Sequence, residues 1–78
     1  MPKVKIYSTP TCTYCVILKK YLKDKGVEYE DVDISKDIEA QKRMIEKTEQ
    51  MGTPVVEIDE GKFIIGFNKE EIDKALSL

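Results

Sequence analysis

The sequence has no histidine and no tryptophan. Without histidine the chain lacks the commonest metal ligand and the side chain most used for acid–base catalysis near neutral pH. Ser-His-Asp arrangements and histidine-based metal clusters are thereby excluded, and no bound metal is expected. A basic excess is missing too: 13 Lys and Arg stand against 15 Asp and Glu, a net charge of −2 with the signs interspersed. A nucleic-acid surface concentrates positive charge on one face, so no nucleic-acid partner is expected. No apolar run approaches the roughly 18 residues of a membrane helix. The stretch from Met1 to Tyr7 has no long apolar segment of the secretory kind. A cytoplasmic protein without a membrane partner is the expectation. Prolines number three and glycines four, and 41% of the residues are hydrophobic. That mix is too apolar for a disordered chain. One domain spanning 1–78 is expected, of a size at which folding hides about 60–65% of the exposable surface.

Two cysteines remain, Cys12 and Cys15, three positions apart. As a structural staple the pair is poorly placed. The chain-entropy model gives a disulfide closing so short a loop about 2 kcal/mol, against about 4 for a loop of some 60 residues. In a cytosolic chain such a pair stays reduced unless it cycles. As half of a zinc site it is incomplete, because zinc takes four ligands and the sequence offers no second pair of the right kind. Redox cycling is the reading that uses both thiols.

The pattern around them gives the order βαβαββα. Lys3 to Tyr7 reads as a strand with Val4 and Ile6 on one face. Ser8-Thr9-Pro10-Thr11 is turn chemistry, with Thr11 placed to cap a helix from Cys12 or Thr13 to about Lys25. Val16, Ile17, Leu18, Tyr21 and Leu22 recur there at helical spacing, and Gly26 is a natural stop. Lys19, Lys20, Lys23 and Lys25 read as its solvated face. Val27 to Ile34 is a second strand. Its carboxylates Glu28, Glu30, Asp31 and Asp33 alternate between faces, and the strand direction leaves open whether Lys3 or Lys5 lies near the thiols. Ser35 or Asp37 caps a helix to about Thr48 whose inner face is Ile38, Ala40, Met44 and Ile45. After the loop Gln50 to Pro54, Val55–Ile58 and Lys62–Ile65 flank the hairpin turn Asp59-Glu60-Gly61. Asn68 with Glu71 resembles a capping box opening a last helix, with Ile72, Ala75, Leu76 and Leu78 inward.

The thiols thus fall at the first turn of a helix that follows a strand. Unpaired backbone N–H groups and the positive end of the macrodipole favour a thiolate there. Cys12 is the more exposed position, and Cys15 lies one turn deeper within its reach. That suits a relay in which Cys12 attacks a disulfide and Cys15 resolves the mixed disulfide.

The segment Tyr7-Ser-Thr-Pro-Thr-Cys12-Thr-Tyr-Cys15 resembles the active-site segment of the glutaredoxin family. The likeness extends over nearly the whole chain, through the element order, Thr53-Pro54 and the terminal helix. It implies an α/β, thioredoxin-like fold: a four-stranded mixed sheet with helices on both faces. It also implies a monomeric thiol–disulfide oxidoreductase with Cys12 as nucleophile and Cys15 as resolving thiol. No bound cofactor is implied, and glutathione is the co-substrate. Thr53-Pro54 would be the family's cis-proline loop, with the Thr53 backbone free to pair with a bound chain. Thr11, Thr13, Tyr14, Gly66 and Phe67 would shape substrate or glutathione contact. Three positions depart from the glutathione-binding pattern. Thr9 stands where many members have Lys or Arg, Gly52 where they have threonine, and Gly66-Phe67-Asn68 where they have Gly-Gly and an acidic residue. Gly66-Phe67 is similar to glutaredoxin-like electron donors of ribonucleotide reductase, which a thioredoxin-reductase-type enzyme recycles. Phe67 also reads as plain core. Disulfide-containing proteins or glutathione, and a reductase donor, are the partners implied. An iron–sulfur or metal-binding module and a redox-inactive interaction domain are the readings from other classes.

Overall fold

A computed structural model describes residues Lys3–Ser77. Strand β1 (Val4–Ser8) leads into helix α1 (Thr13–Asp24), followed by β2 (Glu30–Asp33), α2 (Ile38–Thr48), β3 (Val55–Ile58), β4 (Lys62–Ile65) and α3 (Lys69–Leu76). The order βαβαββα is as expected, and the strands form one mixed sheet in the order β2-β1-β3-β4. β1 runs parallel to β2 and antiparallel to β3, and β3 pairs antiparallel with β4.

Alternation along the strands assigns two faces. Val4, Ile6, Val56, Ile58 and Ile64 pack on one side with Leu18 and Leu22 of α1 and Ile72 and Leu76 of α3. Tyr7 and Val55 face the other way and pack with Ile34, just after β2, and with Met44 of α2. Helices therefore cover both faces, which largely buries the two central strands on both sides. β3 shows this most fully: all four of its residues are buried.

Local chemistry sets the helix ends. α1 closes with Gly26 N–H donating to the Lys23 carbonyl at 3.0 Å and Val27 N–H donating to the Leu22 carbonyl at 2.9 Å. That is the paired pattern of a Schellman stop, which needs a left-handed residue where Gly26 sits at φ 73°. Asp37 caps α2 by accepting from Ala40 N–H at 3.0 Å, and Asn68 caps α3 by accepting from Glu71 N–H at 3.2 Å.

Several expectations are corrected. Thr11 does not cap α1; Cys12 does, its sulfur accepting from Cys15 N–H. Val16, Ile17 and Ile38 are exposed, although their spacing placed them on inner faces. β2 begins at Glu30 rather than Val27 because the Schellman stop draws Val27 back onto α1. Lys19 is not purely solvated: it pairs with Asp31 at 2.9 Å. Lys3 bonds Asp59 and Glu60 of the hairpin, at the end of the sheet opposite to the one where β1 delivers the chain to the cysteines. Leu78 lies outside the described residues. None of the described helices is long and apolar enough to cross a membrane.

Candidate active site

The strand register brings the motifs together. β1 ends at Ser8, and Val55 pairs with Tyr7 and with Ile65. Thr53-Pro54 therefore continues β3 past its ladder at the end where β1 hands over to Thr9–Cys12. Gly66 and Phe67 leave β4 at the same end. Gly66 N–H donates to the Pro54 carbonyl at 2.8 Å, one more rung of that ladder.

Cys12 and Cys15 are joined as a disulfide, with Cα atoms 5.2 Å apart. Cys15 is fully buried and Cys12 half-buried, so only the first sulfur meets solvent. Cys12 is the N-cap of α1. Its backbone N–H donates to the Thr9 carbonyl at 3.2 Å, its carbonyl accepts from Val16 N–H at 3.3 Å, and its sulfur accepts from Cys15 N–H at 3.1 Å. A backbone donor aimed at the sulfur from a helix start favours its anionic form. The arrangement presents one sulfur for attack and shields a second within bonding reach.

The remaining expected residues divide. Thr11, Thr13 and Tyr14 are exposed beside Cys12, Tyr14 by 63%. The Thr53–Pro54 peptide is cis, Pro54 is buried and Thr53 is half-buried. Gly66 N–H is spent on Pro54 and is not free to hold a carboxylate. Phe67 packs against the α1–α3 core, its ring 5.6 Å from that of Tyr21, so its contacts are those of a core residue.

Two side-chain systems involve Tyr7 and Ser8, the last residues of β1, and the sequence pattern did not join their members. Glu57, 1% exposed, accepts from Tyr7 Oη at 2.5 Å and from Arg43 Nη2 at 2.6 Å. Burial alone would raise its carboxyl, but the Arg43 and Tyr7 hydrogen bonds and the Arg43 charge outweigh this and hold it below its ordinary value. Burial, reinforced by Glu57, pushes the Tyr7 hydroxyl up to about 12. Arg43 is the single arginine of the chain, and this glutamate within an apolar strand was the signal that could have found the pair. Ser8, Asp31 and Lys19 form the second system: Ser8 Oγ donates to Asp31 at 2.7 Å, and Lys19 pairs with the same carboxylate. Lys19 stands one helical turn beyond Cys15.

A hollow of about 470 Å³, lined by Lys3, Lys5, Tyr29 and Glu60 among others, lies at the opposite end of the sheet. Thiol exchange has no need of it, because the reacting sulfur must meet its partner in the open. Among the described residues, no group of three or more Cys, Asp or Glu is arranged to hold a metal ion. The cysteines alone do not supply the four ligands of an iron–sulfur cluster.

A family model described as Glutaredoxin matches residues 4–64. A glutaredoxin-like 8.6 kDa protein of the rubredoxin operon from Clostridium pasteurianum is 47% identical over 73 residues, covering 94% of this chain and 96% of that one. Glutaredoxin 3 of Escherichia coli is 32% identical over 59 residues, 76% of this chain and 71% of its own. Among solved structures, methanoredoxin of Methanosarcina acetivorans superposes with a TM-score of 0.90 at 28% identity, covering 97% of this chain and 85% of that one.

Proposed function

The chain belongs to the glutaredoxin family, which brings a thiol–disulfide redox role, and from that premise we propose how its residues divide the work. Cys12, as thiolate, attacks one sulfur of a substrate disulfide. A mixed disulfide forms and the first substrate thiolate leaves, taking a proton from solvent. Cys15 then attacks the Cys12 sulfur, the second substrate thiolate departs, and the Cys12–Cys15 disulfide remains. The substrate has gained two electrons and the protein has lost two. The observation that carries this reading is the asymmetry of the pair: an N-capping, half-exposed Cys12 over a fully buried Cys15.

In the first reading the oxidised pair is reduced by glutathione, the co-substrate. The second reading makes the chain a thioredoxin-like electron donor for protein disulfides, for example to ribonucleotide reductase, recycled by a thioredoxin-reductase-type enzyme. A specific observation favours it. Tyr14 and Met51, the latter 64% exposed, stand apolar and bare in the segments that carry the cysteines and Thr53-Pro54, and Ile65 is exposed at the end of β4. That surface suits a protein face better than a charged tripeptide.

One experiment separates the two. Oxidised protein is offered either glutathione with glutathione reductase or thioredoxin reductase alone, and NADPH consumption is followed. Turnover through glutathione supports the first reading, and turnover without it the second. Cys12→Ser is expected to abolish turnover in both. Cys15→Ser is expected to accumulate a mixed disulfide with the substrate. A Cys15→Ser protein that alkylates no faster at Cys12 than an ordinary thiol, and traps nothing, overturns the assignment.

A further inference from the structure

The loop before Pro54 is held by an amide that no active-site role has absorbed. Thr48, the last residue of α2, donates its hydroxyl to the Met44 and Gln50 carbonyls at 2.7 and 3.2 Å. The Gln50 carboxamide then engages both backbone groups of Gly52: its Oε1 accepts from Gly52 N–H at 2.7 Å, and its Nε2 donates to the Gly52 carbonyl at 3.1 Å. This is the two-bond exchange that a neighbouring strand residue makes with its partner. The approach is so close that a Cβ on residue 52 would sit 2.8 Å from Gln50 Oε1. Glycine is what admits the clamp. The next residue, Thr53, is steered to extended geometry by the proline after it. Its N–H and carbonyl have no hydrogen-bond partner among the described residues.

We propose that Gln50 is a positioning residue that acts as a surrogate strand, fixing Gly52 so that the Thr53 backbone is held ready to pair with an extended polypeptide whose disulfide reaches Cys12. The inference rests on the thiol-exchange reading and on the pairing that the family resemblance implies for the Thr53 backbone; what it adds is the residue that holds that backbone in place, felt by disulfides carried on extended chain segments. Small disulfides without a peptide backbone do not use the clamp.

The test measures kcat and KM of the intact protein, kept reduced by dithiothreitol with the uncatalysed rate subtracted, on two probes: hydroxyethyl disulfide and the disulfide-linked dimer of an unstructured peptide about ten residues long. Gln50→Ala is expected to raise KM for the peptide about five- to tenfold, the size of one strand-type hydrogen bond. The kcat for the peptide and both constants for hydroxyethyl disulfide should stay within about twofold. Gly52→Ala, whose methyl displaces the carboxamide, should reproduce the effect, and the double variant should be no worse than either single one. An unchanged peptide KM in Gln50→Ala overturns the proposal. So does an equal loss on both probes, which marks a general loosening of the loop, or additive losses in the double variant. If the wild-type protein turns over neither probe, the thiol-exchange reading itself has failed. If it turns over hydroxyethyl disulfide alone, that reading stands and the clamp's substrate class is wrong.

Discussion

Glu57 is the residue on which the interior is most exposed to error. It is a carboxylate in the middle of an apolar strand, and its charge is tolerated because Arg43 and Tyr7 both donate to it. Removing one partner of a buried pair costs more than the pair contributes, since the other is left charged and unsolvated. Arg43 is 40% exposed, so water can partly replace it and the full penalty does not apply. Arg43→Ala is expected to lower stability, because it leaves the buried Glu57 carboxylate without its charged partner. Glu57→Gln, which keeps the shape and removes the charge, should cost less. Urea denaturation midpoints of the two variants check the order, and the reverse order would show that the pair is not what keeps Glu57 ionised. This cluster was hidden in the sequence because its members lie 14 and 50 positions apart. No local pattern joins them. Cys12 and Cys15 were legible because their chemistry is local, a spacing and a turn, whereas Thr53-Pro54 was legible only through the family resemblance.

Among the elements, α1 shows both how far periodicity reaches and where it stops. Its length and its end were readable, because Gly26 and the chemistry of a helix stop act within five residues. Gly26→Ala isolates that contribution. No atom lies within 4 Å of the position a Cβ would take, so the cost is that of a left-handed alanine alone, about 1 kcal/mol. For a domain of this size the midpoint of thermal unfolding should fall by about 4–8 °C. An unchanged midpoint would mean the stop does not depend on glycine. Periodicity gave the spacing of Val16 and Ile17 but not which neighbours would cover them. Cys15 and Leu18, which bracket them, are fully buried, so Val16 and Ile17 lie on the face of α1 turned away from the sheet. Ile38 opens α2 and is bare as well.

At the scale of the whole molecule, the missing histidine fixes the response to pH. Glu57, Asp33 and Asp73 are held below their ordinary values. For Asp33 the hydrogen bonds from Ser35 do this, and for Asp73 those from Tyr21 and Lys69. A depressed acid stabilises the fold above its unfolded value and loses that contribution as pH falls through the folded one. Tyr7, raised to about 12, works in the opposite direction: its contribution is whole below about pH 10 and disappears as pH climbs toward 12. In the oxidised protein no side chain with an ordinary value titrates between roughly pH 5 and 8. Stability measured by urea titration is therefore expected to be flat across that interval and to fall on both sides. Tyr7→Phe should flatten the alkaline limb. A slope inside the neutral interval would contradict this accounting.

Cys12 caps α1 and Cys15 stands three residues into it, so oxidation and reduction take place inside a single helical turn. Arg43, Glu57 and Gln50 all lie on other elements, and none of their bonds includes a sulfur. A partner that must dock before electron transfer and depart after it has little to inspect except that turn. Recognition of redox state becomes a matter of local touch: whether the half-exposed sulfur is available or already engaged. Because the bonds of Arg43, Glu57 and Gln50 do not run through a sulfur, release after transfer is expected to be written into the few atoms around Cys12.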